Sequence, residues 1–425
     1  MRILKIYEAI LFLLMALVAD EAFGQQAYPF AIDYYPMIAY DSNKVKHAES
    51  INNFDFFNQK WAQLLQQGQG QINIVHIGGS HVQADFFSGR VREHFQNFEG
   101  EMNAGRGFVF PYRLAKTNAP DGYYFSYSGS WESCRNVERN KECSFGIGGI
   151  SAYTIDTTAS LTLIMDSDME HDFSFTQVSI FHSIDARSFE IKSCSPWVDS
   201  IVTDSFKGLS RVYLNRKVDS LDLYFEKTDT NQYFFQLFGM NVSNDDPGFI
   251  YHNIGINGAS TSSFLRSKYF KSELEVLQPD LVIFALGIND ASGPNFDGVR
   301  FVKNYDSLVR WVYEVNPQAA ILFVSNTDSY LRRRYLNRNG VEVQQLMYQL
   351  AAKHQAAVWD QFEVMGGSNS IVKWQKYHLA QADRVHFTRQ GYYLFGDLLF
   401  DALVRDFGSH LEKGASKFFT DVVKP

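Results

Sequence analysis

Three short stretches of this 425-residue chain hold the side chains best suited to chemistry. Gly78-Gly79-Ser80-His81 follows the apolar run Ile72–Ile77, Gly287-Ile288-Asn289-Asp290 follows Leu281–Leu286, and Asp383-Arg384-Val385-His386 lies near the C-terminus. A serine hydroxyl becomes a nucleophile when an imidazole takes its proton, and a carboxylate on the other ring nitrogen orients that imidazole. An amide N–H aimed at the attacked carbonyl receives the developing oxyanion. Ser80, His386, Asp383 and Asn289 supply these parts, and Gly258, within Asn253–Ser260 after another apolar run, can add a backbone N–H.

Each stretch also has a plain structural reading. Ser80 suits a helix N-cap, Asn289 a turn, and Asp383 with His386 a capping or turn pair. Their common position carries more weight than any one of them. Ser80, Gly258 and Asn289 each follow a strand-like run, and ligands of open α/β sheets bind beyond the carboxyl ends of the strands. The G-x-S-x-G elbow is absent, because Val82 stands where its second glycine would be.

The elements that must carry these residues fall into two patterns. Apolar residues recur at helical spacing over 53–68 and again through Val82, Phe86, Val91 and Phe95, on either side of the strand Ile72–Ile77. From about Gly122 to Asn244 that periodicity gives way to short runs separated by polar turns: Leu161–Met165, Phe175–Phe181, Phe189–Ile191, Val212–Leu214, Leu221–Phe225 and Tyr233–Phe238. Such spacing predicts an antiparallel sandwich. Strands Phe249–Ile254, Leu281–Leu286, Ala320–Val324 and Ala356–Trp359 then alternate with helices over Val299–Val315, Val341–His354 and Gly391–Phe407. Alternation of this kind predicts a parallel sheet with both faces covered. The expected organisation is an α/β domain over 25–121 and 247–412, interrupted by a β module over 122–246 and followed by a loosely held tail over 413–425.

Composition narrows the function. A net charge of −8 disfavours nucleic acid and anionic membranes as partners, and suits a neutral or weakly charged glycan. Aromatic residues make up 16% of the chain, which fits β-rich cores and also sugar-binding faces. Residues 1–24 read as a secretory signal, with Arg2 and Lys5 ahead of the apolar Ala9–Ala19 and small residues in Ala22-Phe23-Gly24. The expectation is an exported protein beginning near Gln25, with no transmembrane segment after cleavage. In an oxidising compartment Cys134 and Cys143 are near enough in sequence to close a small loop, which would leave Cys194 free, or all three stay reduced; no spacing of His or Cys suggests a metal site.

Taken in order, the residues around Ser80, Gly258, Asn289 and Asp383–His386 resemble the blocks of the SGNH (GDSL-type) hydrolase superfamily. The resemblance covers roughly 70–112 and 247–405. It implies a flavodoxin-like three-layer α/β/α fold, with Ser80 as nucleophile, His386 as base, Asp383 as its partner, and Ser80, Gly258 and Asn289 as the oxyanion hole. The family usually has Asp before the serine, where this chain has Gly79. Within the superfamily, Gly-x-Ser-His-Val-Gln-Ala, Gly105-Arg106-Gly107 and the interrupting module look most like peptidoglycan O-acetylesterases, with His81 lining the site or packing beside it. The implied activity is removal of O-acetyl groups from peptidoglycan or another polysaccharide, without cofactor or metal. The other reading is a glycan-binding protein on the same fold that has lost activity, and retention of Ser80, Asn289, Asp383 and His386 favours the enzyme.

Overall fold

A computed structural model describes residues 31–48, 53–98, 100–166 and 172–422. The signal segment expected over 1–24 lies outside the described residues. No helix among the described residues is long and apolar enough to cross a membrane.

The α/β part is built on six strands: β1 (Val45–His47), β2 (Gln71–Gly78), β3 (Gly248–Gly255), β4 (Leu281–Ala285), β5 (Ala320–Val324) and β6 (Ala357–Trp359). Their order across the sheet is β1-β6-β5-β4-β2-β3, with only β1 antiparallel. The parallel strands are almost wholly buried, as expected of a sheet covered on both faces. Gly78 of β2 is in register with Gly255 of β3 and Ala285 of β4, so three strands end together at one edge. The loops after all three leave from that edge.

Helices cover the two faces: α1 (Phe54–Gln67), α2 (Ser80–Gln83), α3 (Phe86–Gln96), α4 (Phe270–Leu277), α5 (Gly298–Val315), α6 (Asn339–His354) and α7 (Arg389–Val422). On one face Trp61 of α1 stacks on Phe407 of α7 at 4.3 Å and meets Phe95 of α3 at 5.1 Å. These rings sit on Ile72, Ile74 and Phe249 of the sheet. The helical spacing over 53–68 therefore marked a true core face. The α7 backbone runs to Val422, well past the Phe407 that the apolar spacing suggested and through part of the expected tail.

The inserted segment forms two antiparallel sheets. One has the order Val198–Asp204, Leu209–Val218, Phe175–His182, Phe235–Ser243, Ile150–Thr154 and Glu132–Arg135, with Gly107–Val109 also pairing to Phe235–Ser243. The other has Tyr123–Ser128, Ser160–Met165, Ser220–Glu226 and Glu190–Lys192. The sheets share a core, with Phe225 of one stacked on Phe235 of the other at 4.0 Å. Gly107–Val109 joins the module's sheet from within the stretch assigned by sequence to the α/β domain. Cys134 and Cys143 are disulfide-bonded and Cys194 is exposed and free.

One apolar core runs from the second face of the parallel sheet into the module, joining Val75 and Ile77 to Phe108 and Phe238. Two polar knots lie along this junction. Asp85 is buried between Arg92, at 2.9 Å, and Arg106, at 2.5 Å, and Arg106 also faces the Tyr123 ring of the module. Glu273 of α4 is buried and accepts a 2.7 Å bond from the Ile147 N–H.

Candidate active site

Ser80 opens α2 immediately after β2, and its Oγ lies 2.9 Å from Nε2 of His386. Nδ1 of His386 is 2.7 Å from Oδ2 of Asp383. The serine, imidazole and carboxylate thus form one unbroken chain of contacts across 306 residues of sequence. The carboxylate is fixed locally, because its Oδ1 accepts the N–H groups of Val385 and His386, both at 3.0 Å. Burial pushes the Asp383 carboxyl up. The bonds from the His386 ring and from the two backbone amides outweigh it and hold Asp383 below the usual carboxylate range. An ionised Asp383 on Nδ1 keeps the Nδ1–H tautomer of His386, which leaves Nε2 free to accept the Ser80 proton.

Asn289 stands over the backbone just before Ser80, and Gly258 lies in the loop that follows β3. Gly258 has φ +81°, a conformation that glycine adopts without strain. Its N–H donates to no acceptor among the described residues. The Nδ2 of Asn289 donates to the Ala259 carbonyl at 2.9 Å, which commits one of its two hydrogens. Gly79 explains how Asn289 comes so near: a Cβ at position 79 would lie 3.0 Å from that Nδ2. The amide thus packs over the backbone just ahead of Ser80. Asp290 does not face the serine; it accepts both the N–H and the hydroxyl of Thr261 and so braces the Asn289 loop against the next helical turn.

His81 packs into the site from the same turn as Ser80. Its ring lies 5.5 Å from the His386 ring at a shallow 28° and meets Tyr392 edge-on at 5.5 Å. Its Nε2 is buried without a hydrogen-bond partner among the described residues. Burial above all, reinforced by His386 and opposed by Asp383, pushes His81 down to about 3, so it is neutral at ordinary pH. A neutral ring at this distance limits how His386 can tilt without adding a charge beside it.

Gln83 is a site residue that the sequence reading left without a role. It is fully buried, accepts the Asn257 N–H at 2.6 Å, and donates to Thr117 Oγ1 and to the Asn118 carbonyl. It therefore fixes the loop that carries Gly258 to the turn that carries Ser80. Its signal in the sequence was its place in Gly-x-Ser-His-Val-Gln-Ala, a stretch that carries a resemblance but does not say what the glutamine holds.

Residues 229–394 match the family described as GDSL-like lipase/acylhydrolase. That stretch is similar to GDSL-like lipases and acylhydrolases. The matched segment holds Gly258, Asn289, Asp383 and His386 but not Ser80, since the β module separates the serine from the rest. The fold of the whole is similar to a solved peptidoglycan O-acetylesterase. That likeness has 23% identity and a TM-score of 0.71, and covers 86% of this chain and 99% of the other. A share that large takes in the module along with the GDSL-like domain, so the architecture is an SGNH hydrolase fold with an inserted β module. Smaller overlaps occur with a lipase/acylhydrolase from Enterococcus faecalis (24% identity, 39% of this chain and 77% of the other, TM-score 0.30). An acetyl xylan esterase, AlAXEase, overlaps similarly (18%, 36% and 81%, TM-score 0.29). No curated protein matches the chain.

Proposed function

We propose that this protein is an exported serine esterase that removes O-acetyl groups from a cell-wall glycan, peptidoglycan in the first place, through an acetyl-serine intermediate. The observation that carries the reading is the run of short contacts from Ser80 to His386 to Asp383. In the first half-reaction Nε2 of His386 takes the Ser80 proton as Oγ attacks the acetyl carbonyl. The N–H of Gly258, the uncommitted hydrogen of Asn289 Nδ2 and the Ser80 N–H receive the oxyanion in this reading. Collapse of the adduct breaks the ester bond, and His386 returns the proton to the departing sugar hydroxyl. Water then attacks the acetyl-serine, with His386 taking and returning the proton in the same way, and acetate leaves.

The likeness in fold to a peptidoglycan O-acetylesterase supports the substrate class, and the secretory pattern of residues 1–24 supports export. The test is a serine-directed phosphonate together with Ser80→Ala. The reagent should label Ser80 alone, and the variant should lose on the order of 10⁴-fold or more in turnover of a small acetate ester. Binding to glycan without turnover or labelling would instead identify a carbohydrate-binding protein on an esterase fold.

A further inference from the structure

The acidic net charge of the chain is not evenly spread. Between Ser329 and Val341 there are four arginines and no acid. Three of them, Arg332, Arg333 and Arg334, form the tip of a small hairpin whose arms are Tyr330–Leu331 and Tyr335–Leu336. All three are exposed, and none pairs with a carboxylate among the described residues.

This hairpin is fastened to the loop that carries the base. The Tyr330 N–H donates to the Arg384 carbonyl at 2.9 Å, and Nη1 of Arg384 donates to the Arg333 carbonyl at 3.3 Å. The Arg384 guanidinium also stacks on the Tyr330 ring at 5.0 Å. Arg384 lies between Asp383 and His386, and two residues span at most about 7 Å of chain. The arginine-tipped hairpin is therefore fastened to the same short loop that carries His386.

The backbone at these arginines is also costly. Arg332, Arg333 and Arg384 hold φ of +51°, +63° and +58°, a region where glycine or asparagine sits more easily. Long charged side chains kept in such conformations at the rim of a site point to a role for the side chains themselves. Guanidinium groups match carboxylates in shape and charge, and do so better than lysine.

We infer that the Arg332–Arg334 hairpin is a carboxylate-binding rim, and that the acylated glycan presented to Ser80 bears acidic groups close to its ester. This rests on the esterase reading and sharpens it, because it selects an acidic polymer, such as peptidoglycan with its stem-peptide carboxylates, over a neutral one. It also reverses the expectation drawn from net charge, which suited a neutral or weakly charged glycan. The local field at the rim, and not the total charge, meets the substrate.

The test uses the full mature chain and the triple variant Arg332→Gln, Arg333→Gln, Arg334→Gln, with Arg333→Gln alone as a milder second form. Acetate release is measured from O-acetylated peptidoglycan, from acetylated cello-oligosaccharides and from 4-nitrophenyl acetate, at low and high NaCl. The expected result is a fall of about tenfold in kcat/KM on peptidoglycan relative to the two neutral substrates, carried mainly by KM, with most of the salt dependence lost. Equal changes on acidic and neutral substrates, or an unaltered salt dependence, would overturn the rim. Cosedimentation of parent and variant with de-O-acetylated peptidoglycan tests the rim without turnover. If the parent hydrolyses no ester, the esterase reading fails, while weaker salt-sensitive binding by the variant still upholds the rim and equal binding refutes it.

Discussion

The catalytic edge and the junction between the α/β domain and the β module both depend on ionisable groups, but they hold them differently. At the edge, Asp383 is gripped by Val385 and His386 from its own turn and remains half-buried. At the junction, Asp85 and Arg106 are fully enclosed, and Glu273 meets the backbone of Ile147 from 126 residues away. A reacting group must stay within reach of substrate and water, so its neighbours tune it without enclosing it. An enclosed charge has lost its hydration and stays ionised only while its partner is present. Changes at the edge should therefore alter rate with little effect on folding, and changes at the junction should do the reverse.

The largest expected effect is at the edge. Asp383→Asn keeps the size of the side chain and can still accept a backbone N–H, but it offers no carboxylate to Nδ1 of His386. The turnover number should fall on the order of 10³–10⁴-fold, as when a triad carboxylate is neutralised elsewhere, while Tm stays near that of the parent. A matching collapse of Tm would show that the pair is structural and would break the contrast. The mirror experiment is Asp85→Asn. It leaves Arg92 and Arg106 facing each other in a closed space, where Arg106 Nε and Nη1 already have no partner among the described residues. Losing one member of such a buried set costs roughly 3–5 kcal/mol, so chemical denaturation should show a large loss of stability. The fraction still folded should turn over a small ester as the parent does.

The sequence exposed the edge more fully than the junction, for a physical reason. Ser80, Asn289 and the Asp383–His386 pair sit at strand ends or in short turns, where residue type and local spacing reflect local geometry. The five parallel strands were visible because each is buried on both faces and reads as a mostly apolar run, broken by Asn73 and His76 in β2 and by His252 and Asn253 in β3. Module strands buried on one side were harder. Tyr123–Ser128 opens on three consecutive aromatics and lies between Gly122 and Gly129, so it shows no clean alternation, and Val198–Asp204, at the sheet's edge, is scarcely buried at all. The junction was invisible. Nothing near Arg106 in sequence announces Asp85 as its partner, and nothing in α4 singles out Glu273, because both depend on how the module folds back.

Glu273 gives the junction a pH signature. Burial raises its carboxyl to about 8, only partly opposed by the Ile147 N–H. In the unfolded chain an ordinary Glu ionises near 4.5. Between these values the folded protein holds a proton that the unfolded chain has released, so stability falls as pH rises from about 4.5 to 8 and levels off above that. Glu273→Gln carries no charge to enclose. Its advantage over the parent should be nearly absent at pH 4.5 and reach roughly 4–5 kcal/mol by pH 8.5, read from denaturation at both values. Equal stability of the two proteins across that range would mean that water reaches the carboxylate.

The smallest effect probes Gly79, which stands where the SGNH hydrolases that this chain resembles usually have aspartate. A glycine before Ser80 could mark decay of the site, but Gly79 has Asn289 packed against it, so that a Cβ there would meet Nδ2 at a tight 3.0 Å. Adding a methyl group at 3.0 Å from Nδ2 pushes the amide outward by a few tenths of an ångström, away from the position where it would meet an oxyanion. Removing such a donor outright costs about 10²–10³-fold, so a small displacement in Gly79→Ala should cost about tenfold in kcat. KM on a small ester should hold steady, because the donor matters most in the transition state. Gly79→Asp is the sharper form, since it restores the residue that the family usually carries. If Asn289 has taken the space, the aspartate will lower kcat further. A gain in kcat would show instead that the glycine is a loss the site has not compensated.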